Sequence, residues 1–318
     1  MRALTVTKLG TPPTFANTPL PAPRQGEVQI AVRACGLNFA DLLMIEGKYQ
    51  ATPPVPFVLG MELAGDVVAV PAGCALAIGD RVAVVAGHGG LAERANVTEA
   101  AVVRLPDAMG YDHAAAFQIA YGTSHLALDH RARLQAGETL VVLGAAGGVG
   151  LTAVEIGKRM GARVIACARG AEKLAIAKAA GAEEVLDVDR PDLRDAIKAL
   201  GGADVIYDAI GGEAGTQAAR ALNRGGRYLV IGFAAGSHPE IPLNHALVKN
   251  ITIHGVYWGG YTELAPDVLT GSMAQLFAWY AQGGLHPHIS ATFPLDRAVE
   301  ALDLLRARKS TGKVVVTI

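Results

Sequence analysis

The chain has 318 residues, 51% hydrophobic and 18% charged, with 28 Lys and Arg against 29 Asp and Glu for a formal net charge of −1. So even a balance leaves no electrostatic footprint for nucleic acid or an anionic membrane. A mean hydropathy of +0.30 with 38 glycines excludes a disordered chain and points to an α/β protein rich in buried strands and tight turns.

The length exceeds one typical core, so two domains are expected. Met1 to Val6 has no signal-peptide core, and no apolar run is both long enough and free of glycine breaks to span a bilayer. Cys35, Cys74 and Cys167 lie far apart, without metal-like or disulfide-framework spacing, so a reducing cytoplasm is the simplest expected home.

In chain order, residues 1–115 read as β-rich. Short strand candidates (Ala3 to Thr7, Glu27 to Ala34, Ala64 to Val70, Arg81 to Val85, Glu93 to Val97) are separated by Pro12-Pro13, Pro19 to Pro23, Pro53 to Pro56 and Gly79-Asp80. This pattern predicts a small antiparallel, barrel-like domain. Over residues 116–256 strands alternate with helices: strands at 140–143, 163–167, 184–187, 204–208, 227–232 and 251–256, helices near 149–160, 171–180, 192–200, 213–222 and 244–248. Six strands in that alternation predict a doubly wound parallel sheet of the Rossmann type. The tail, 257–318, carries helices near 266–282 and 296–307 and strands at 288–294 and 314–317. It is too short for a domain and is expected to fold back onto residues 1–115.

The first strand of the alternation, Leu140 to Leu143, runs into Gly144-Ala145-Ala146-Gly147-Gly148-Val149-Gly150 and then a helix. A pyrophosphate can sit on a helix N-terminus only where no side chain blocks the approach, and Gly147 permits that approach while Gly150 lets helix and strand pack closely. Ala145 stands where the G-x-G-x-x-G pattern has its first glycine, so the match is imperfect and a glycine-rich turn without a ligand stays open. After the next strand, where an NAD-specific site carries an acidic residue, the sequence holds Ala168, Arg169 and then Lys173. Two cations without a carboxylate suit the 2′-phosphate of NADPH, or are solvated charges at a helix start. Ile210-Gly211 and Gly232-Phe233 end two later strands, on the carboxyl edge where open α/β sheets bind ligands; Phe233 could equally be core.

These motifs, with Cys35 to Asp41, Gly60 to Gly65, Gly79 to Val82 and Gly312 to Val315, resemble the medium-chain dehydrogenase/reductase superfamily. Within it the chain is similar to the quinone oxidoreductase (zeta-crystallin-like) family. The resemblance covers nearly the whole chain and implies a GroES-like β-rich domain beside a Rossmann domain. At the places where zinc alcohol dehydrogenases of that superfamily carry Cys, His and Cys, this chain has Asn38, Met61 and, approximately, Ala115, none of which replaces a thiolate or imidazole. The pairs His125 with His130 and His286 with His288 lack a third ligand nearby in sequence and read as surface or core histidines. No metal is therefore expected. Without a Lewis acid the easier acceptor is an activated alkene or quinone, whose anion a few hydrogen bonds can hold.

The resemblance thus implies NADPH-dependent reduction of quinones or α,β-unsaturated carbonyls, with reduction of an acrylyl-CoA-like enoyl thioester, or a non-catalytic NADPH-binding redox sensor, as alternatives. It also implies Asn38 and Tyr49 as the catalytic-site residues, each a hydrogen-bond donor. Asn38 could instead cap a helix starting near Phe39, and Tyr49 anchor a loop. Thr123 falls at the nicotinamide end, with Ala146, Gly147, Gly148, Val149 and Gly150 at the pyrophosphate. Asp41 and Glu62 match the pattern as braces, and Tyr257, Trp258 and Lys313 as candidate lining of a substrate cleft or as packing. Leu43 and Val188 stand where some relatives have Tyr, one by the nicotinamide and one near the adenosine. The edge strand 251–256 invites pairing with a second copy, so a homodimer is expected, with a small-molecule substrate and neither nucleic acid nor membrane as partner.

Overall fold

A computed structural model describes residues 1–20 and 22–318; Pro21, within one of the proline breaks, lies outside the described residues. The chain divides into two compact units, 1–119 with 287–318, and 120–286.

In the first unit, β3 (Glu27–Gly36) shows how the strands arise. Val28, Ile30 and Val32 alternate into the core while Arg33 faces solvent, the period-two pattern of a half-buried strand. The strands before and after it are β1 (Arg2–Val6), β2 (Thr14–Asn17), β4 (Phe57–Val58), β5 (Glu62–Ala69), β6 (Arg81–Val85), β7 (Arg94–Thr98) and β8 (Val102–Arg104). β1 pairs with β2 and β4 in a small antiparallel sheet. β3 pairs antiparallel with β5 along one side and with β7 along the first half of the other. β2, β4 and β8 fall outside the sequence expectation; two to four residues carry too little alternation to register. Helix α1 (Phe39–Ile45) follows β3, and α2 (Tyr111–Ala115) lies ahead of α3 (Gln118–His125), where the chain enters the second unit.

The second unit is built on a six-stranded parallel sheet of β9 (Thr139–Leu143), β10 (Arg163–Ala168), β11 (Glu184–Asp187), β12 (Ala203–Asp208), β13 (Leu222–Val230) and β14 (Thr252–Gly255). Its order, β11-β10-β9-β12-β13-β14, reverses at β9 and β12. That is the doubly wound arrangement, whose ligands sit beyond the carboxyl ends of the strands at the reversal. Helices α4 (Gly148–Arg159), α5 (Ala171–Ala179), α6 (Leu193–Ala199), α7 (Gly212–Arg220) and α8 (Leu243–Lys249) connect the strands. Every residue of β9 is buried, as a central parallel strand covered on both faces requires.

The tail divides differently from the expectation. Residues 257–286, with α9 (Tyr261–Leu264) and α10 (Pro266–Ala281), cluster with the second unit and not the first. Polar anchors account for this: Ser272 on α10 bonds His125 Nδ1 at 2.9 Å, Trp279 meets the His125 ring edge-on, and the His286 N–H donates to Glu155 of α4 at 2.6 Å. From Pro287 the chain returns to the first unit as β15 (Ile289–Pro294), α11 (Ala298–Arg306) and β16 (Lys313–Thr317). β16 pairs antiparallel with the end of β3, but β15 and β16 run parallel, so that sheet is not wholly antiparallel. α11 makes the crossover that parallel neighbours need.

Candidate active site

In the first unit the end of β3, the start of β5 and the start of β16 converge on one buried polar group. Lys313, with its side chain 7% exposed, donates from Nζ to the Leu37 carbonyl at 2.8 Å, to Asn38 Oδ1 at 2.7 Å and to Glu62 Oε1 at 2.7 Å. An ammonium has three donors and no acceptor, so all its protons are used, and the atom it meets on Asn38 must be the amide oxygen. Asn38 Nδ2 then faces Glu62 Oε1 at 2.9 Å and the Gly36 carbonyl at 3.3 Å. Glu62, 1% exposed at its side chain, takes the Ile119 N–H on Oε2 at 3.0 Å. Among the described residues this is a closed charge pair with every carboxylate oxygen occupied.

Asn38 is also the N-cap of α1, the helix-start place that was the alternative expectation for it. It precedes α1 in extended backbone, and Asp41 reaches back to accept its N–H at 2.7 Å. Its side-chain amide is committed to Lys313 and Glu62, so it is not an idle donor; of its two N–H groups, only the one at 3.3 Å is weakly held. Asp41 itself is fully buried, with Oδ1 lacking a hydrogen-bond partner, and burial pushes its carboxyl up to about 7, opposed by the Asn38 N–H and the Lys313 charge. Burial likewise pushes the neighbouring Cys35 thiol well up, with the Asp41 and Glu62 charges adding to it, which makes it an inert sulfur. Tyr49 packs half-buried against the apolar cluster of Leu42, Met44, Ile45 and Phe57, and its carbonyl receives the Thr52 hydroxyl at 2.7 Å.

Asn38, Met61 and Ala115 are an amide, a thioether and a methyl, and the Glu62 carboxylate beside Asn38 is tied to an ammonium. Among the described residues no group of three His, Cys, Asp or Glu comes together as a metal donor set. The donors present do not fit zinc.

In the second unit, β9 ends at Leu143 and α4 begins at Gly148, with Gly147 as its N-cap and no side chain capping it. The first N–H groups of a helix have no intrahelical partner, and here no side chain occupies them. A Cβ on Gly150 would lie 2.0 Å from the Gly144 carbonyl oxygen and 2.9 Å from Ala145 Cα, and one on Gly147 would lie 3.3 Å from the same oxygen. Gly150 therefore sets the helix against the strand, and Gly147 leaves the approach to the helix end open. The turn is held from beneath: the N–H groups of Gly144 and Ala145 both reach the Cys167 carbonyl at 3.0 Å, and Ser124 donates to the Val149 carbonyl at 2.9 Å. Thr123, the expected nicotinamide neighbour, is buried beside that serine on α3.

The loops after β12 and β13 are zipped together beside this turn. Ala235 N–H donates to the Ile210 carbonyl at 2.8 Å, a Cβ on Gly144 would lie 3.1 Å from Ile210, and one on Gly211 would lie 3.1 Å from Phe233. Gly211 and Gly212 adopt φ of +73° and +58°, which only glycine enters readily. Ile210, Gly211, Gly232 and Phe233 thus share one rim with the glycine turn; Phe233 is 41% exposed and is not core. Sequence reasoning missed what holds the rim. Asp208 Oδ1 accepts the Ile210 and Gly211 N–H groups, both at 2.8 Å, and its other oxygen takes the buried Tyr228 hydroxyl. Burial raises this carboxyl, and those three bonds hold it down. A strand-final Asp three residues before Gly211 was the available signal.

The stretch after β10, the expected adenosine end, also holds more than its own residues show. Arg169 forks onto Asp189, and Asp187 accepts the Gly170 N–H at 3.1 Å. The stretch reads as carboxylate-free from the order of residues, but the fold sets two carboxylates from the end of β11 beside it.

Residues 24–107 match the family profile of the alcohol dehydrogenase GroES-like domain, and residues 148–276 that of zinc-binding dehydrogenases. A quinone oxidoreductase-like protein 2 homolog of Nematostella vectensis is 41% identical over 297 residues, 91% of this chain and 81% of that protein. The human synaptic vesicle membrane protein VAT-1 homolog is 30% identical over 315 residues, 93% of this chain and 80% of its own length. Among solved structures, the quinone oxidoreductase of Thermus thermophilus, described with its NADPH complex, superposes with a TM-score of 0.89 at 34% identity, covering all of both chains.

Proposed function

Because the chain belongs to the quinone oxidoreductase-like family of the medium-chain dehydrogenase/reductase superfamily, we propose that it is a zinc-independent oxidoreductase that moves hydride from NADPH to a quinone or an α,β-unsaturated carbonyl. The observation that carries this reading is the turn from Gly144 to Gly150, where glycine is required at 150 and open approach is kept at 147, at the reversal of a doubly wound sheet. When bound there, NADPH supplies the hydride.

The residues of the chain bind, orient and stabilise. Ala146, Gly147, Gly148, Val149 and Gly150 present backbone to the pyrophosphate. Arg169 and Lys173 serve the 2′-phosphate, and Thr123, Ile210, Gly211, Gly232 and Phe233 the nicotinamide end. Asn38 acts at the acceptor. Lys313 holds the Asn38 carbonyl oxygen at 2.7 Å, which polarises the amide, and the Nδ2 hydrogen loosely held by Gly36 at 3.3 Å is the one given to the developing oxyanion. Tyr49 is the second donor.

The test is an NADPH-oxidation screen across quinones, alkenals and enoyl thioesters, run with and without EDTA. Turnover with quinones or alkenals, unchanged by the chelator, is expected. Turnover confined to enoyl thioesters would replace the substrate class, and loss of activity in EDTA would overturn the zinc-independent reading. The alternative of a different class is NADPH binding without turnover. Tight NADPH binding with no acceptor in the screen would select it.

The reading includes a homodimer. β14 is an edge strand of the six-stranded sheet with Ile253 exposed, and α8 beside it exposes Leu243 and Leu247 at 78% each. Light scattering of Ile253→Lys with Leu247→Glu should report a monomer where the unmodified chain gives a dimer; a monomer in both cases would remove the dimer from the reading.

A further inference from the structure

The adenosine end of the nucleotide site is less cationic than its sequence. Asp187 closes β11, and its two oxygens accept the N–H of Gly170 at 3.1 Å and of Asp189 at 2.9 Å. The Val188 N–H adds a bond to the Ala168 carbonyl at 3.1 Å. Together these clamp the turn that follows β10 to the turn that follows β11, so the position of Asp189 is set by the Asp187 carboxylate and by the backbone of both turns.

Held there, Asp189 faces Arg169. The guanidinium meets it with both Nε and Nη2, the latter at 3.0 Å from Oδ1. The next residue, Arg190, forks in the same way onto Asp192, at 2.8 and 3.0 Å. Each of these guanidinium groups already has a carboxylate of its own. The Arg169 and Asp189 side chains are 67% and 54% exposed, however. An exposed pair is weak enough to be exchanged for a better anion.

A 2′-phosphate is such an anion, carrying close to two negative charges near neutral pH. It must take Arg169 from Asp189 and then lie beside that carboxylate. A 2′-hydroxyl meets no such repulsion and can donate to an acidic residue at this place. We infer that Asp189 is a specificity-determining residue of the nucleotide site: by competing for Arg169 and repelling a 2′-phosphate, it lowers the preference for NADPH over NADH that Arg169 and Lys173 create. This rests on the nucleotide-binding reading above and adds a residue that works against it.

The experiment measures dissociation constants of the full chain and of Asp189→Asn and Asp189→Ser for two probes that differ only at the 2′ position, 2′,5′-ADP and 5′-AMP, and for NADPH and NADH. Both variants should bind 2′,5′-ADP and NADPH about fivefold more tightly, the scale of one carboxylate removed from beside a dianion in water. Affinity for 5′-AMP and NADH should stay the same or fall. An unchanged ratio between the two probes in both variants, in a chain that binds NADPH, overturns the role of Asp189 and leaves the nucleotide reading standing. Equal weakening for all four ligands makes Asp189 a structural clamp and overturns the inference as well. An unmodified chain that binds neither 2′,5′-ADP nor NADPH overturns both.

Discussion

Two Lys/Arg–carboxylate pairs, one in each unit, show how burial decides what a charge can do. Lys313 and Glu62 are 7% and 1% exposed, share Asn38 between them, and leave no donor proton on the ammonium and no bare oxygen on the carboxylate. Arg169 and Asp189 are 67% and 54% exposed, and water can replace either partner. The buried pair fixes one geometry, because neither ion can be solvated if the other leaves. The exposed pair is exchangeable, as the role proposed for Arg169 in binding a dissociable nucleotide requires.

The largest test of this contrast is Lys313→Met. It leaves the Glu62 carboxylate buried without its cation, and the free energy of unfolding should fall by about 3–5 kcal/mol in denaturant titration. Replacing both ions, as Lys313→Met with Glu62→Met, should restore much of that loss; a single variant as stable as the unmodified chain would show that the pair is not closed. Asp41, beside it, gives a pH signature. Its carboxyl is raised from 3.8 to about 7, mainly by burial. The folded chain holds this proton more tightly than the unfolded chain. The associated stability is therefore present below pH 4 and lost as pH rises through about 7. Relative to Asp41→Asn, the unmodified chain should lose about 2–4 kcal/mol between pH 4 and pH 8. A pH-independent difference between the two would remove the buried acid from the account. The smallest effect is expected from Asp189→Asn, which should change the unfolding free energy by less than about 1 kcal/mol. A larger loss would mean that the exposed pair is structural and the contrast false.

Much of the fold is legible in the sequence, for a local reason. All six strands of the parallel sheet occur within a few residues of their expected places, and the fully buried one, β9, is a continuous apolar run that ends in a glycine turn. Phe57–Val58 and Val102–Arg104 escape because they are strands only by virtue of their neighbours. The length of the tail suggests that 257–286 joins the first unit, whereas its place with the second depends on bonds of His125 to Ser272 and of Glu155 to His286, each spanning more than 100 residues. In the candidate site, the glycine turn is a backbone device and its residues are adjacent, so it reads directly from the chain. The Lys313 contacts with Asn38 and Glu62 join residues 275 and 251 positions apart, and no spacing rule reaches so far.

The alternation of strands and helices, the glycine turn, and the residue types at Asn38, Met61 and Ala115 that do not suit a metal are all set by the order of residues, since each is a property of neighbouring residues or of one side chain's chemistry. Which charges are paired depends on the folded arrangement. It turned Lys313 from cleft lining into the partner of Asn38 and Glu62, placed Asp208 under the Ile210–Gly211 turn, and set Asp189 against Arg169. A charge acts over a few ångströms of space, and the fold alone determines which residues share them.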